Sequence, residues 1–470
     1  MGMVLNSDQT PPSLRDQSAQ ALQHLCEWAV QACQQDLPPA IRKRSALVLL
    51  DDLGAMVAAS GEPQVKAVRQ RVPKRSSKKS ATIFAKHAPK SDVLNAASAN
   101  GMAAAWCELD EGYRLAPCHA GAYILPTLLA EVEVRSLSLG TLLRLLAVSY
   151  EVTGRFARAF PFPALTVHPH AAYATIGAVC AAALVRPGDA ALFMQALTSA
   201  CSMSFAGPYK HAVDGALVRN AWTAASPWIG LRAVDWAEHG IAGIPQTPYD
   251  VYVGCFNTAC KPEELTHGLG ELWAISDGYH KIFACCQYAH SMLEASLDLH
   301  ERLGMAASHA IEAIEVETHP RGLTLTGVEP DNVLAAQFSM PHAAAAVACL
   351  ATGGQAAFSA QALKRTDIAR LRQRVVLKPY EPLAPWPHDR PARVTWILAD
   401  GTRHTAERLN ARGGADMPFD EETLLQKLSD NTRMIFPSMA SYAQPILNGS
   451  DNLDAMVWRD LVEKMVGGPA

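Results

Sequence analysis

The amino-acid sequence predicts a mainly α protein: a large all-helical domain built from both chain ends (1–275 and 411–470), with a smaller α+β lid domain inserted over 276–410. Three observations carry this reading. Up to about residue 270, alanine-rich runs such as NAASANGMAAAW, AAYATIGAV and TIGAVCAAALV lack the β-branched alternation of strands. Beyond about residue 276 that alternation appears, first in IEAIEVETH (311–319). From Phe419 to Met465 helical periodicity returns, so the chain's end is expected to rejoin its beginning.

Each element has its own signal. Leu22, Leu25 and Ala29 share one face of a helix expected to start near Ser13. Pro38 and Pro39 open a second, carrying Ile41, Leu49, Leu50 and Leu53. The small side chains that follow permit close helix–helix approach, and Pro126 is read as starting a further helix. His290–Leu303 reads as helical before the first strand. An alanine-rich helix, AAQFSMPHAAAAVACLATG, separates that strand from VLKPY (376–380) and RVTWILADGTRHTAERL (393–409). Asp400-Gly401 between two strand-like runs is a hairpin signal. No internal repeat or low-complexity segment is visible.

Composition narrows the function. The 470 residues are 49% hydrophobic and 18% charged, which supplies a sizeable core and argues against disorder. A formal net charge of −4 implies no nucleic-acid surface, although a local cationic pocket for small anions is compatible with it. The eleven cysteines show no CxxC pair, so structural zinc is not expected, and Cys26, Cys180 and Cys201 read as buried thiols. The opening stretch MGMVLNSDQTPPSLRDQ is polar, without an apolar signal core. No uncharged run reaches the roughly 18 apolar residues that span a bilayer. The expectation is a cytoplasmic protein in a reducing environment.

Four segments could carry chemistry. In CELDEGYRLAPCHAG (107–121), Glu108, Asp110 and Glu111 precede Tyr113 and His119 at a helix junction. Acids beside a histidine tune or orient it for proton transfer, but a solvated acidic loop would look the same. LTVHPHAAYATIGA puts His168 and His170 at a helix N-terminus, where the dipole favours neutral imidazole. An isolated histidine there more often caps than catalyses, and no second ligand cluster accompanies the HxH pair, so no metal is expected. GPYKHAVDGALVRNAW carries Lys210, His211 and Arg219. Arginine can clamp a carboxylate in a bidentate manner, and it can equally be a surface charge. YHKIFACCQYAH (279–290) places Lys281, Cys286 and His290 at the expected domain boundary. Cys286 reads as nucleophile or, more commonly, as structural thiol. Phosphate-cradling loops and the GxSxG elbow are missing.

In this order and spacing, these stretches resemble the MmgE/PrpD family of lyases and isomerases, whose members include 2-methylcitrate dehydratase, cis-aconitate decarboxylase and iminodisuccinate epimerase. The resemblance runs from LLDDLGAMVAASG (49–61) to GADMPFDEETLLQKL (414–428). KIFACCQYAH is similar to the family's K-x-x-P-x-C-x-x-x-H, and AAQFSMPHAAA to its A-x-x-F-S-x-P-Y. The resemblance implies a helical domain with a lid, a homodimer, no cofactor, no nucleic-acid or membrane partner, and a small-molecule polycarboxylate substrate.

It also implies roles. His119 and His168 match cleft histidines and Lys281 a lid-side lysine, with Glu108 and Asp110 as the accompanying acids. Arg219, Tyr113, Cys286, Lys210 and Ser339 are the implied substrate-binding set. Glu108 stands where the decarboxylase has aspartate, given one residue inserted before His119. Arg219 replaces its lysine and Cys286 its histidine, while Ala284 and His342 replace a proline and a tyrosine. These departures put decarboxylation behind dehydration and epimerisation. The expected chemistry is proton abstraction next to a carboxylate, with Arg219 and Lys281 holding charge and His168 or His119 moving the proton. Dehydratase-like elimination leads. Epimerisation, a non-catalytic polycarboxylate binder and a metal-dependent hydrolase are the alternatives.

Overall fold

Close helix packing sets the architecture, and small residues make it possible. In the computed structural model, which describes residues 12–72 and 80–467, the helix Arg219–Ala237 packs against Val93–Ala104 and Pro169–Leu184. A Cβ at Gly230 would run into the backbone of Ala178, so glycine permits that approach. Of the polar opening stretch, residues 1–11 lie outside the described residues. The chain is 58% helical and 9% strand, hence mainly α.

The first two helices start where the sequence indicates. Ser13 caps Leu14–Ala32, accepting from the Asp16 amide, and Pro39 opens Pro39–Ala58. The chain's end returns onto these elements. Lys427, on the helix Glu421–Thr432, bonds Asp51 and the Leu109 carbonyl. Arg42 pairs with Asp454, and Trp458–Val466 buries Trp458, Leu461, Val462 and Met465. Among the described residues no helix is long and apolar enough to cross a membrane.

Two local expectations fail. Pro126 does not start a helix but lies inside Ala120–Val134, which begins six residues earlier, directly after His119. The buried Ala120, Gly121 and Ala122 already form its first turn against the core, and tertiary packing absorbs the missing proline amide. The alanine-rich helix is two pieces, Val333–Gln337 and Met340–Leu350. Pro341 offers no amide to continue the first piece, and the Ser339 hydroxyl caps the second through the His342 amide at 2.9 Å.

The strands are β1 (Ala81–Thr82), β2 (Lys90–Ser91), β3 (Gly112–Tyr113), β4 (Gly278–Tyr279), β5 (Ile311–Thr318), β6 (Val375–Pro379), β7 (Ala392–Leu398) and β8 (Arg403–Arg408). The last four form one sheet in the order β6-β5-β7-β8, with β5 and β6 parallel and the other pairs antiparallel. Gly401, at φ +85°, makes the β7–β8 turn that Asp400-Gly401 signals. The smallest ladder has the largest consequence. β3 pairs with β4, Gly112 opposite Tyr279 and Tyr113 opposite Gly278, which sews the acid-rich loop to the segment ahead of Lys281. A Cβ at Gly112 would enter the Tyr279 ring, so this pairing needs glycine.

Candidate active site

The β3–β4 ladder puts the acids of 107–111 beside Lys281, and a second element locks them. Glu108 has φ +53°, an uncommon conformation for a side chain with a Cβ. Its Oε1 accepts from Arg219 Nη2, and its Oε2 lies 3.4 Å from Lys281 Nζ. Asp110 Oδ1 lies 3.1 Å from the same ammonium. All four side chains are buried, so two cations face two carboxylates and the quartet is neutral within itself. Burial alone would lift the Asp110 carboxyl, but Lys281 and His119 outweigh it and hold it well below the usual range. Burial works against the Lys281 charge too, and Asp110 and Glu108 reverse that, so the lysine is an ammonium, not a base.

The histidines divide their roles by hydrogen bonding. His119 Nδ1 is 2.8 Å from both the Glu111 carbonyl and Asp110 Oδ2. Only the carbonyl contact has hydrogen-bond geometry, so Nδ1 carries the proton and donates there, with the carboxylate alongside as charge partner. Nε2 is then the basic nitrogen, and the ring, 15% exposed, lines the cavity. His168 caps the helix Pro169–Leu184. Its Nδ1 accepts from the His170 amide at 3.1 Å, and Arg219 Nε approaches its Nε2 at 3.4 Å. A neutral ring has one acceptor nitrogen; the shorter cap contact takes it, which puts the His168 proton on Nε2. Burial, then Arg219 and His119, holds its pKa well below the usual value, so it stays neutral. His170 stacks edge-on to both rings, 5.0 Å from His119 and 4.6 Å from His168, with Nδ1 on the Tyr123 hydroxyl.

Arg219 is nearly saturated. Nη1 serves the Ala105 carbonyl at 2.7 Å and Asn220 Oδ1 at 2.9 Å, and the guanidinium lies over Phe338. With Nη2 on Glu108, one Nη2 hydrogen is left, and the Nε hydrogen, facing the protonated Nε2 of His168, finds no acceptor there.

Residues 108–219 form one wall of the cavity through Glu108, Tyr113, His119, His168, Tyr209 and Arg219. The other wall comes from Tyr279, Cys286–Tyr288, Phe338 and Arg390. Its void is only about 40 Å³, room for a few waters. A larger cleft of about 560 Å³ lies under Glu421–Thr432, but it is lined by Asp420, Glu422 and Asp430 and holds neither histidine. The smaller void is the better candidate, because the imidazoles face it.

The structure thus brings together Glu108, Asp110, Tyr113, His119, His168, Arg219, Lys281 and Cys286. Lys281 and Asp110 sit behind the cavity wall and do not line it. Burial pushes the Cys286 thiol up to about 12, which makes it a lining thiol and not a nucleophile. Lys210 stands outside the group, exposed and 2.6 Å from Asp214. Ser339 also stands outside, capping its helix and donating to the Gly327 carbonyl. Sequence reasoning missed Arg390, which stands far from the four candidate segments along the chain, and passed over Tyr209 and Tyr288 inside GPYKHAVDGALVRNAW and YHKIFACCQYAH.

Two family models match the chain: the MmgE/PrpD N-terminal domain over residues 23–267 and the MmgE/PrpD C-terminal domain over 283–450. A cis-aconitate decarboxylase-like protein (oryM) of Aspergillus oryzae is 25% identical over 322 residues, 62% of this chain and 65% of that protein. A cis-aconitate decarboxylase of Aspergillus terreus is 27% identical over 305 residues, 59% of this chain and 60% of its own length. The chain therefore spans less than two thirds of either relative.

Proposed function

Because the chain belongs to the MmgE/PrpD family, we propose that it is a cofactor-independent lyase that removes a proton next to a carboxylate of a small di- or tricarboxylate and expels a β-hydroxyl. The observation that carries this reading is the His119 environment. Nδ1 is fixed on a backbone carbonyl beside an ionised, buried aspartate, and Nε2 is directed to a cavity shared with His168 and Arg219.

The roles follow from the hydrogen bonds. His119 Nε2 takes the C–H proton, and Asp110 stabilises the imidazolium that forms. The His168 Nε2–H and the remaining Arg219 Nη2–H meet the enolate oxygen as charge develops. Lys281 keeps Asp110 ionised and in place and is a positioning residue. The His119 imidazolium then returns its proton to the departing hydroxide, water leaves, and the ring is neutral again. A void of about 40 Å³ does not admit a tricarboxylate, so the wall from residues 276–410 acts as a lid that opens and closes.

A second reading, decarboxylation, is favoured by the names of the two Aspergillus relatives. One experiment separates the outcomes: citrate-, malate- and aspartate-like acids incubated with the protein in deuterated water and followed by NMR. Elimination removes the carbinol signal, decarboxylation releases carbon dioxide, and epimerisation leaves deuterium without either. Failure of every acid to exchange a C–H proton, or wild-type exchange by His119→Gln, ends the proposal.

A further inference from the structure

The cations the sequence offers for substrate, Arg219 and Lys281, are already balanced by Glu108 and Asp110. The cavity's opposite wall holds a cation that is not. Arg390 is buried just ahead of β7 and lines the void. Its Nη1 donates to Gln287 Oε1, and its guanidinium lies 5.1 Å over the Tyr288 ring. Its Nε makes no hydrogen bond among the described residues.

The closest carboxylate oxygen paired with it, Asp389 Oδ2, is 3.9 Å from Nε, too far to bond. That carboxylate is engaged by Arg114 at both oxygens, Nη2 donating to Oδ1 and Nη1 lying 3.5 Å from Oδ2. Arg321 also lies over Tyr288, at 5.8 Å. Two arginines thus share Asp389, with Arg321 a third cation on the Tyr288 ring, and the surplus charge falls on the one that lines the cavity. Burial, and Arg114 after it, act against the Arg390 charge. A buried cation with an unmet donor is costly unless an anion completes it.

We propose that Arg390, with Gln287 beside it, anchors the substrate carboxylate remote from the breaking C–H bond, and that this contact selects dicarboxylates over monocarboxylates. The inference rests on the polycarboxylate reading above and adds a specificity-determining residue on the lid side.

The test compares succinate with butyrate, which share a carbon count and differ by one carboxylate, using thermal stabilisation of the full chain. Succinate stabilises the wild type and butyrate does not. Arg390→Met weakens succinate binding about 10- to 100-fold, the range for losing a charge-assisted hydrogen-bonded contact, and leaves butyrate unchanged. Equal succinate stabilisation of wild type and variant overturns the assignment of Arg390 alone. A wild type indifferent to succinate, malate and citrate takes down the polycarboxylate reading and this inference together. Citrate soaked into crystals of the wild type decides the matter without a variant. A citrate carboxylate on Arg390 Nε is the expected result, and citrate in the cavity with every carboxylate away from Arg390 refutes the anchor while leaving the parent reading intact.

Discussion

Replacing Glu111 with glutamine should change how stability depends on pH, in a direction the structure fixes. Glu111 is fully buried beneath the His119 loop. Its Oε1 accepts from the Gly121 amide at 2.6 Å, its Oε2 from the Tyr150 hydroxyl at 2.8 Å, and its own amide donates to Asp52 Oδ1 at 3.1 Å. Burial pushes its carboxyl up to about 7, with the Gly121 and Tyr150 bonds pulling the other way. Asp52 is raised as well, by burial and then by Glu111. An acid whose folded pKa is raised contributes stability below its unfolded pKa and loses it as pH rises through the folded value. For Glu111 that window runs from about 4.5 to about 7. Between pH 5 and pH 8 the loss is about 2 kcal/mol, at 1.36 kcal/mol per pKa unit. Buried histidines such as His280, depressed to about 4 by burial and Arg44, work with the opposite sign, losing stability as pH falls below about 6.5. The informative quantity is therefore the variant minus the wild type. Urea unfolding followed by tryptophan fluorescence should show Glu111→Gln gaining about 2 kcal/mol on wild type between pH 5 and pH 8. A difference that stays flat over that interval would refute the buried-acid account.

Three further outcomes follow from the same geometry. Lys281→Met leaves Glu108 and Asp110 with one cation fewer and should destabilise the fold by about 3–5 kcal/mol in denaturant titrations, with Lys281→Met/Asp110→Asn recovering part of that loss; no recovery would mean the quartet is not charge-coupled. Gly112→Ala drives a Cβ into the Tyr279 ring and should lower the thermal midpoint and slow C–H exchange together, because the same ladder holds the acid loop; an unchanged midpoint speaks against that role. With its thiol pushed up to about 12, Cys286 should resist iodoacetamide at pH 8 in the native protein and react after unfolding, as mass spectrometry of the labelled peptide would show.

The helical ends and the mixed region between them were legible because periodicity is local: three residues on one face of Leu14–Ala32, alternation in β5, a glycine turn before β8. Pro126 was misread for the same reason. Its propensity is local, while the packing that retains it inside a helix is not. The acid loop and the two histidines were legible as clusters within a few residues of each other, and the resemblance supplied their company. Arg390 was not, because nothing near it in HDRPARV signals that it is buried against Tyr288 from a segment about a hundred residues earlier. Lys210 looked as good as Lys281 in sequence, since exposure separates them and exposure is a tertiary property.

Charge balance also changes the meaning of the departures from the family pattern. Read one at a time, the two exchanges that the resemblance implies, glutamate for aspartate at Glu108 and arginine for lysine at Arg219, look like two erosions of a site. In space they are a single ion pair, since Arg219 Nη2 bonds Glu108 Oε1. Each exchange keeps the sign of the charge, and both alter only the reach and fork of the partner. A change at one end without the other would leave a buried charge poorly met, so the two substitutions make physical sense together. The pair retains the neutral quartet around Lys281, and with it the ionised Asp110 that sits behind His119. Arg219 itself is not a loosely held cation, because a guanidinium fixed by Glu108, Ala105 and Asn220 has little left to offer a substrate. That is why the arginine across the cavity matters: a site of the proposed kind needs a net positive charge somewhere, and Arg390 is the lining cation with an unbonded Nε.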